Sequence, residues 1–120
     1  MEKQTYYFCG IGGVGMNALA QILLAEGHAV AGSDRAYDMG VEAEKFQTLK
    51  RLGVKLFPQD GSGVAGCQPD FFVVSTAVEE TIPDVKAAKE AGAQIIHRSD
   101  LLSELTQNHF LMAVGGTSGK

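Results

Sequence analysis

Tryptophan is absent from these 120 residues, and only two cysteines and three prolines are present. Cys9 and Cys67 form neither a disulfide framework nor the paired spacing of a zinc site, which predicts two free thiols in a reducing compartment. Basic residues are also scarce. Ten Lys and Arg against fourteen Asp and Glu give a formal net charge of −4, and the ten are scattered along the chain. A nucleic-acid partner is therefore not expected, because a phosphate backbone demands a local excess of positive charge. No apolar run approaches the roughly 18 residues that span a bilayer, so no membrane partner is expected either. Met1 to Gln4 leads directly into strand-like sequence, which predicts no secretory leader and a cytoplasmic location.

Glycine, by contrast, is abundant, with fifteen residues. The strand-like run Tyr6-Tyr7-Phe8-Cys9 ends in Gly10-Ile11-Gly12-Gly13-Val14-Gly15 and passes into a helix-like run from Met16 to Glu26. In that order, strand, glycine turn and helix build a seat for a nucleotide's phosphates on a helix N-terminus. Gly10 permits a tight turn, Gly12 a close approach to a pyrophosphate, and Gly15 close packing of helix on strand. Gly13 leaves the loop still less encumbered. The same run without a ligand would be a glycine-rich connection and nothing more.

Short apolar runs alternate with helical ones. Strands are predicted at Tyr6–Cys9, Ala29–Gly32, Val54–Phe57, Phe71–Ser75, Gln94–Ile96 and Phe110–Val114, runs apolar on both faces as a parallel sheet requires. Helices are predicted at Gly13–Glu26, Val41–Leu52, Pro83–Ala91 and Ser99–Thr106. Val14, Leu19, Ile22 and Leu23 give the first an apolar face. Gly27, Gly53 and Gly92 are placed as C-caps, and Pro83 suits a first helical turn. The stretch from Pro58 to Pro69 predicts a loop with room for one helical turn. The pattern is that of an α/β fold, a Rossmann-like doubly wound parallel sheet of about five strands with helices on both faces.

Other polar residues fall at predicted strand ends, where open parallel sheets collect ligands. Ser33 and Asp34 end the second strand, about 20 residues past the turn, where an acid can meet ribose hydroxyls. Arg35 beside them is suited to a phosphate. Ser75, Thr76 and Ala77 follow the fourth strand, where hydroxyls suit a phosphate or sugar and also a simple turn. Arg98 follows the fifth and can serve a ligand phosphate or Asp100. His28, His97 and His109 read as structural. No catalytic triad or metal cluster is visible, so no catalytic residue is assigned. The last segment, Gly115-Gly116-Thr117-Ser118-Gly119-Lys120, follows the apolar run Phe110–Val114 and reads as a partial P-loop with Val114 in place of its first glycine.

Together these segments resemble the Mur ligase family, the ATP-dependent amide-forming enzymes of peptidoglycan synthesis. The family's Gly-Ile-Gly-Gly-x-Gly-Met turn is matched by Gly10 to Met16, and its Gly-Ser-Asp by Gly32-Ser33-Asp34. Its Ser-Ser-Ala-Ile is similar to Ser75-Thr76-Ala77-Val78, and its Arg-Arg-x-x-x-Leu region to His97 through Leu102. Its ATP loop is similar to Ala113 through Lys120. Departures are Gln59 and Ser118, where the family usually has His, and a longer loop from Asp34 to Glu44.

The resemblance implies the first domain of a three-domain ligase. Residues 1–108 would hold UDP-N-acetylmuramate or a related UDP-sugar, and 109–120 would begin the central domain. Gly10, Gly12, Gly13, Val14, Gly15, Met16, Ser33, Asp34, Ser75, Thr76, Ala77 and Arg98 would bind the UDP part. Gly116, Thr117, Ser118, Gly119 and Lys120 would begin the ATP site. ATP and Mg²⁺ are implied for the full-length protein, with no cofactor for this segment alone. The central domain would make an acyl phosphate that the amino acid, L-alanine in the expected case, then attacks. Two other readings stay open: a free-standing NAD-type dinucleotide module and an interaction domain with a purely structural glycine turn.

Overall fold

A computed structural model describes residues 3–75 and 82–105. Its elements in chain order are β1 (Thr5–Cys9), α1 (Val14–Ala25), β2 (Ala29–Ser33), α2 (Arg35–Asp38), α3 (Ala43–Leu52), β3 (Lys55–Phe57), α4 (Ser62–Cys67), β4 (Phe71–Val74), α5 (Pro83–Ala91) and β5 (Gln94–His97). A further helical run occupies 98–105. Among the described residues no helix is long and apolar enough to cross a membrane. The strands form one parallel sheet in the order β3-β2-β1-β4-β5. The chain winds outward from β1 to β3, then crosses back to place β4 on β1's other side. That reversal leaves a crevice at the carboxyl ends of β1 and β4, which is where ligands bind in sheets of this kind.

The period of two along each strand divides the core into two layers. Tyr6 and Phe8 of β1, Val30 of β2 and Val73 of β4 face a cluster with Met16, Leu19, Ala20 and Leu23 of α1, Phe46 and Leu49 of α3, and Leu101 and Leu105. Tyr7, Ala31, Phe72 and Val74 face the other side, against Val64 of α4 and Val85 and Ala88 of α5. Aromatic pairs tie β1 to β4 across the reversal. Tyr6 stacks on Phe71 at 4.9 Å and Tyr7 on Phe72 at 5.9 Å, each pair in direct register. Such contacts add about 0.5–1.5 kcal/mol each beyond the area they bury.

The doubly wound sheet agrees with the sequence reading, with differences at particular places. The apolar face of α1 is built from Met16, Leu19, Ala20 and Leu23, with Ile22 half-buried. Small Ala20 and pliant Met16 therefore settle the helix on the sheet. The helical turn allowed for within Pro58 to Pro69 is α4 at residues 62–67, because Gly63 admits close packing. An added Cβ there would lie 2.5 Å from Phe57 Cβ and 2.6 Å from the Tyr7 hydroxyl. Gly63→Ala should accordingly lower stability by about 1–3 kcal/mol through overpacking, read as a shift in the urea midpoint. A second short helix, α2, arises where Asp34 caps the chain, accepting from the Ala36 amide at 2.8 Å. Gly53 and Gly92 cap their helices in the left-handed region, and Gly27 (φ +94°) follows the cap of α1. The predicted strand Phe110–Val114 lies outside the described residues.

Candidate functional site

β1 delivers the glycine turn to the crevice, and the end of β2 holds it there. The carbonyl of Ser33 accepts from the amides of Gly10 (2.8 Å) and Ile11 (3.0 Å). Asp34 takes the next amide, accepting from Gly12 N–H through Oδ2 at 2.8 Å. Gly13 N–H then turns back to the Gly10 carbonyl at 3.0 Å. Gly10 sits at φ +83°, in the region that favours glycine, and reverses the chain. Four successive amides are thus spent on holding the turn.

The next amides are free for other work. Gly13 opens α1 with no side-chain cap, and the first helical bond runs from Asn17 N–H to the Gly13 carbonyl at 3.0 Å. The amides of Val14, Gly15 and Met16 therefore have no partner inside the helix and converge on its positive end. Arg98 brings a cation to the same place. A Cβ built on Gly15 would lie 2.8 Å from Arg98 Nη1, so the guanidinium rests directly over this residue. Amides, dipole and guanidinium together suit a diphosphate.

These contacts revise the expected glycine roles. Gly15 makes room for Arg98 rather than for the sheet. The close approach to the sheet belongs to Gly32, whose Cβ would meet the Phe8 carbonyl oxygen at 2.8 Å and Ile11 Cβ at 2.9 Å. Gly12 makes room for Asp34 and Phe46, each 2.9 Å from an added Cβ. Asp34 already occupies the Gly12 amide, which leaves the start of α1 and Arg98 as the groups open to a phosphate. The Met16 side chain is buried in the core, leaving its backbone for any ligand.

Ser75 follows β4, half-buried at the crevice. Thr76, Ala77 and Gly116 through Lys120 lie outside the described residues. Arg35 is exposed on α2, with no contact to the turn among the described interactions. His97 receives the Ser99 amide on Nδ1 at 3.1 Å, and His28 receives the Gln4 amide at 3.1 Å and meets Tyr6 edge-on. Both histidines are structural in these contacts.

Several neighbours of the site carry no local sequence signal. Lys45 donates from α3 to the Gly12 carbonyl at 3.0 Å and to Glu42 at 3.0 Å. Gln59 donates to Cys9 Sγ at 3.7 Å. Burial, followed by the charges of Asp84 and Asp34, pushes that thiol up to about 12. Beneath the turn lies Asp84, fully buried near the start of α5. It accepts from the Ser33 hydroxyl through Oδ2 and from Gly61 N–H through Oδ1 at 2.7 Å. The acid itself is visible in Pro83-Asp84, but spacing gives no sign of these two distant donors.

Desolvation raises the Asp84 carboxyl above its ordinary value of 3.8, against the pull of its Ser33 and Gly61 donors. The folded state then holds this proton more tightly than the unfolded chain. Its stabilising effect is complete below 3.8 and fades as pH rises through the elevated folded value. Asp84→Asn should flatten that part of the profile, checked by urea unfolding of both proteins from pH 4 to 7 (about the range a raised carboxylate covers).

A family model described as "Mur ligase family, catalytic domain" matches residues 5–110. UDP-N-acetylmuramate–L-alanine ligase of Synechococcus sp. (strain CC9605) is 39% identical over all of this chain and 26% of its own length. UDP-N-acetylmuramate-alanine ligase of Thermotoga maritima superposes with a TM-score of 0.72 at 26% identity, over 88% of this chain and 23% of that one. A UDP-N-acetylmuramate:L-alanyl-gamma-D-glutamyl-meso-diaminopimelate ligase of Neisseria meningitides has the same fold, with a TM-score of 0.73 at 24% identity over 86% of this chain and 31% of its own. The chain spans about a quarter of the length of the curated relatives it matches. A parallel sheet with this turn, matched by the family model over nearly its whole length, places the chain in the Mur ligase family.

Proposed function

We propose that this chain is the substrate-binding domain of an ATP-dependent ligase that joins L-alanine to UDP-N-acetylmuramate. The observation that carries the reading is the convergence of three free helix-start amides with Arg98 at the crevice. In this arrangement the UDP diphosphate sits on the amides of Val14, Gly15 and Met16, with Arg98 over it. Asp34, already an acceptor from Gly12, takes a hydroxyl of ribose or sugar, a group that can donate to it. Ser75, with Thr76 and Ala77 after it in sequence, supplies further polar groups to the UDP part.

The domain's own contribution is to hold and orient the substrate. In the full-length protein Gly116 to Lys120 would help hold ATP and Mg²⁺, which would supply the phosphoryl group and its activation. With ATP bound, the substrate carboxylate would take the γ-phosphoryl group, with ADP as the leaving group. The amine of the amino acid then attacks that acyl phosphate, and inorganic phosphate leaves as the amide forms. Neither step is expected of this chain alone. The glycine turn and Asp34 fit the competing reading, an NAD-type module, as well.

Calorimetric titration with UDP-N-acetylmuramate, UDP and NAD tests the choice. Both uridine compounds should bind and NAD should not. Gly12→Leu should abolish measurable binding, because the new side chain displaces Asp34 and Phe46 from over the turn. Binding of NAD in preference to UDP would overturn the reading.

A further inference from the structure

Ser33 joins two hydrogen-bonded systems. Its carbonyl receives the Gly10 and Ile11 amides that begin the glycine turn. Its hydroxyl donates to the buried carboxyl of Asp84, whose other oxygen holds Gly61 N–H. We propose that Asp84 is a positioning residue of the phosphate cradle, fixing the Ser33 carbonyl on which the glycine turn hangs. This rests on the turn being the diphosphate site.

The placement has a physical logic. Ser33 and Asp84 are both fully buried, where an apolar pair of similar size would avoid the desolvation cost. Instead the carboxyl ties the end of β2 to Gly61, ahead of α4, and to the start of α5, which follows β4. It therefore fixes the two walls of the crevice to each other. Its site in the first turn of α5 lets the helix dipole offset part of the burial cost. Tyr7 and Cys9 of β1, Asp60 ahead of α4 and Asp38 of α2 are the titratable groups around it. The Tyr7 hydroxyl is buried in the same pocket, beside the Ser33 side chain. Asp84 is thus the acceptor around which this polar pocket is organised.

The test measures the turn directly, by hydrogen exchange of individual amides in the 120-residue chain, alongside UDP affinity. Ser33→Ala and Asp84→Ala should each speed exchange of the Gly10 and Ile11 amides about tenfold, the scale of one lost hydrogen bond. Leu23 and Val73 amides in the core should keep their rates. UDP affinity should fall about tenfold in each variant, on the same scale. Because one residue acts through the other, the double variant should lose no more than either single one, whereas independent effects would multiply. Asp84→Asn, which keeps the shape and an acceptor for Gly61, should recover most of the loss and serves if Asp84→Ala does not fold. Unchanged turn amides in folded Ser33→Ala and Asp84→Asn, or multiplying losses in the double variant, would overturn the proposal. If the unaltered chain fails to bind UDP, the diphosphate reading falls, and the exchange rates still decide whether Asp84 holds the turn.

Discussion

Alanine in place of Arg98 is expected to weaken UDP binding about 100-fold while barely moving the unfolding midpoint. The guanidinium lies over Gly15 at the start of α1, beside the free amides. A charge-assisted bond to a phosphate contributes about 1.5–3 kcal/mol, and a bidentate one lies at the upper end. Arg98→Lys should recover part of the affinity, since it keeps the charge but loses the planar fork. The affinity gap between the unaltered chain and Arg98→Ala should also shrink as salt rises, because a half-exposed charge is screened. Calorimetry at low and high salt measures both effects. Equal UDP affinity in Arg98→Ala would remove this residue from the site.

Phe8→Ala should cost about 4 kcal/mol of stability, a large part of what a domain this size possesses. Phe8 is fully buried between the sheet and α1, and its carbonyl closes on Gly32 of the neighbouring strand. The cavity would sit two residues from Gly10, so binding should weaken along with stability. For a chain of this length the midpoint should fall by about 15 °C, measured by thermal unfolding. Loss of less than about 1 kcal/mol would mean that the layer collapses around the gap.

The two expected effects separate the parts of the molecule that sequence exposes from those it conceals. Phe8 is legible: it belongs to a short apolar run before a glycine turn, and such a run in an α/β pattern is buried. Arg98 is legible as a residue at a strand end. Its resting place over Gly15 is not, because the two are 83 positions apart (98 − 15) and no periodicity relates them. Spacing assigns Gly15 to helix-on-sheet packing, whereas in the structure this glycine makes room for Arg98. It can announce that a glycine is needed but not which neighbour needs the room.

The same limit explains α4 and Asp84. Two glycines within residues 62–67 argue locally for a loop, and burial of Gly63 and Val64 beneath Tyr7 and Phe57 outweighs that preference. Asp84 looks like an ordinary first-turn acid beside Pro83. Only the assembled fold sets it against Ser33, 51 residues away.

By itself, the sequence determined the alternation of strands and helices, the glycine turn, the helix caps and the family, since each is written in residues close together along the chain. The tertiary structure alone decided that Asp34 occupies the Gly12 amide, that Lys45 grips the Gly12 carbonyl, that Arg98 covers the start of α1 and that Asp84 meets Ser33 beneath the turn. The physical reason is reach. Local backbone preferences act over a few residues, whereas the hydrogen-bonded pairs among these contacts bridge 22 to 51 positions. They exist only once the parallel sheet has brought its strand ends to one edge.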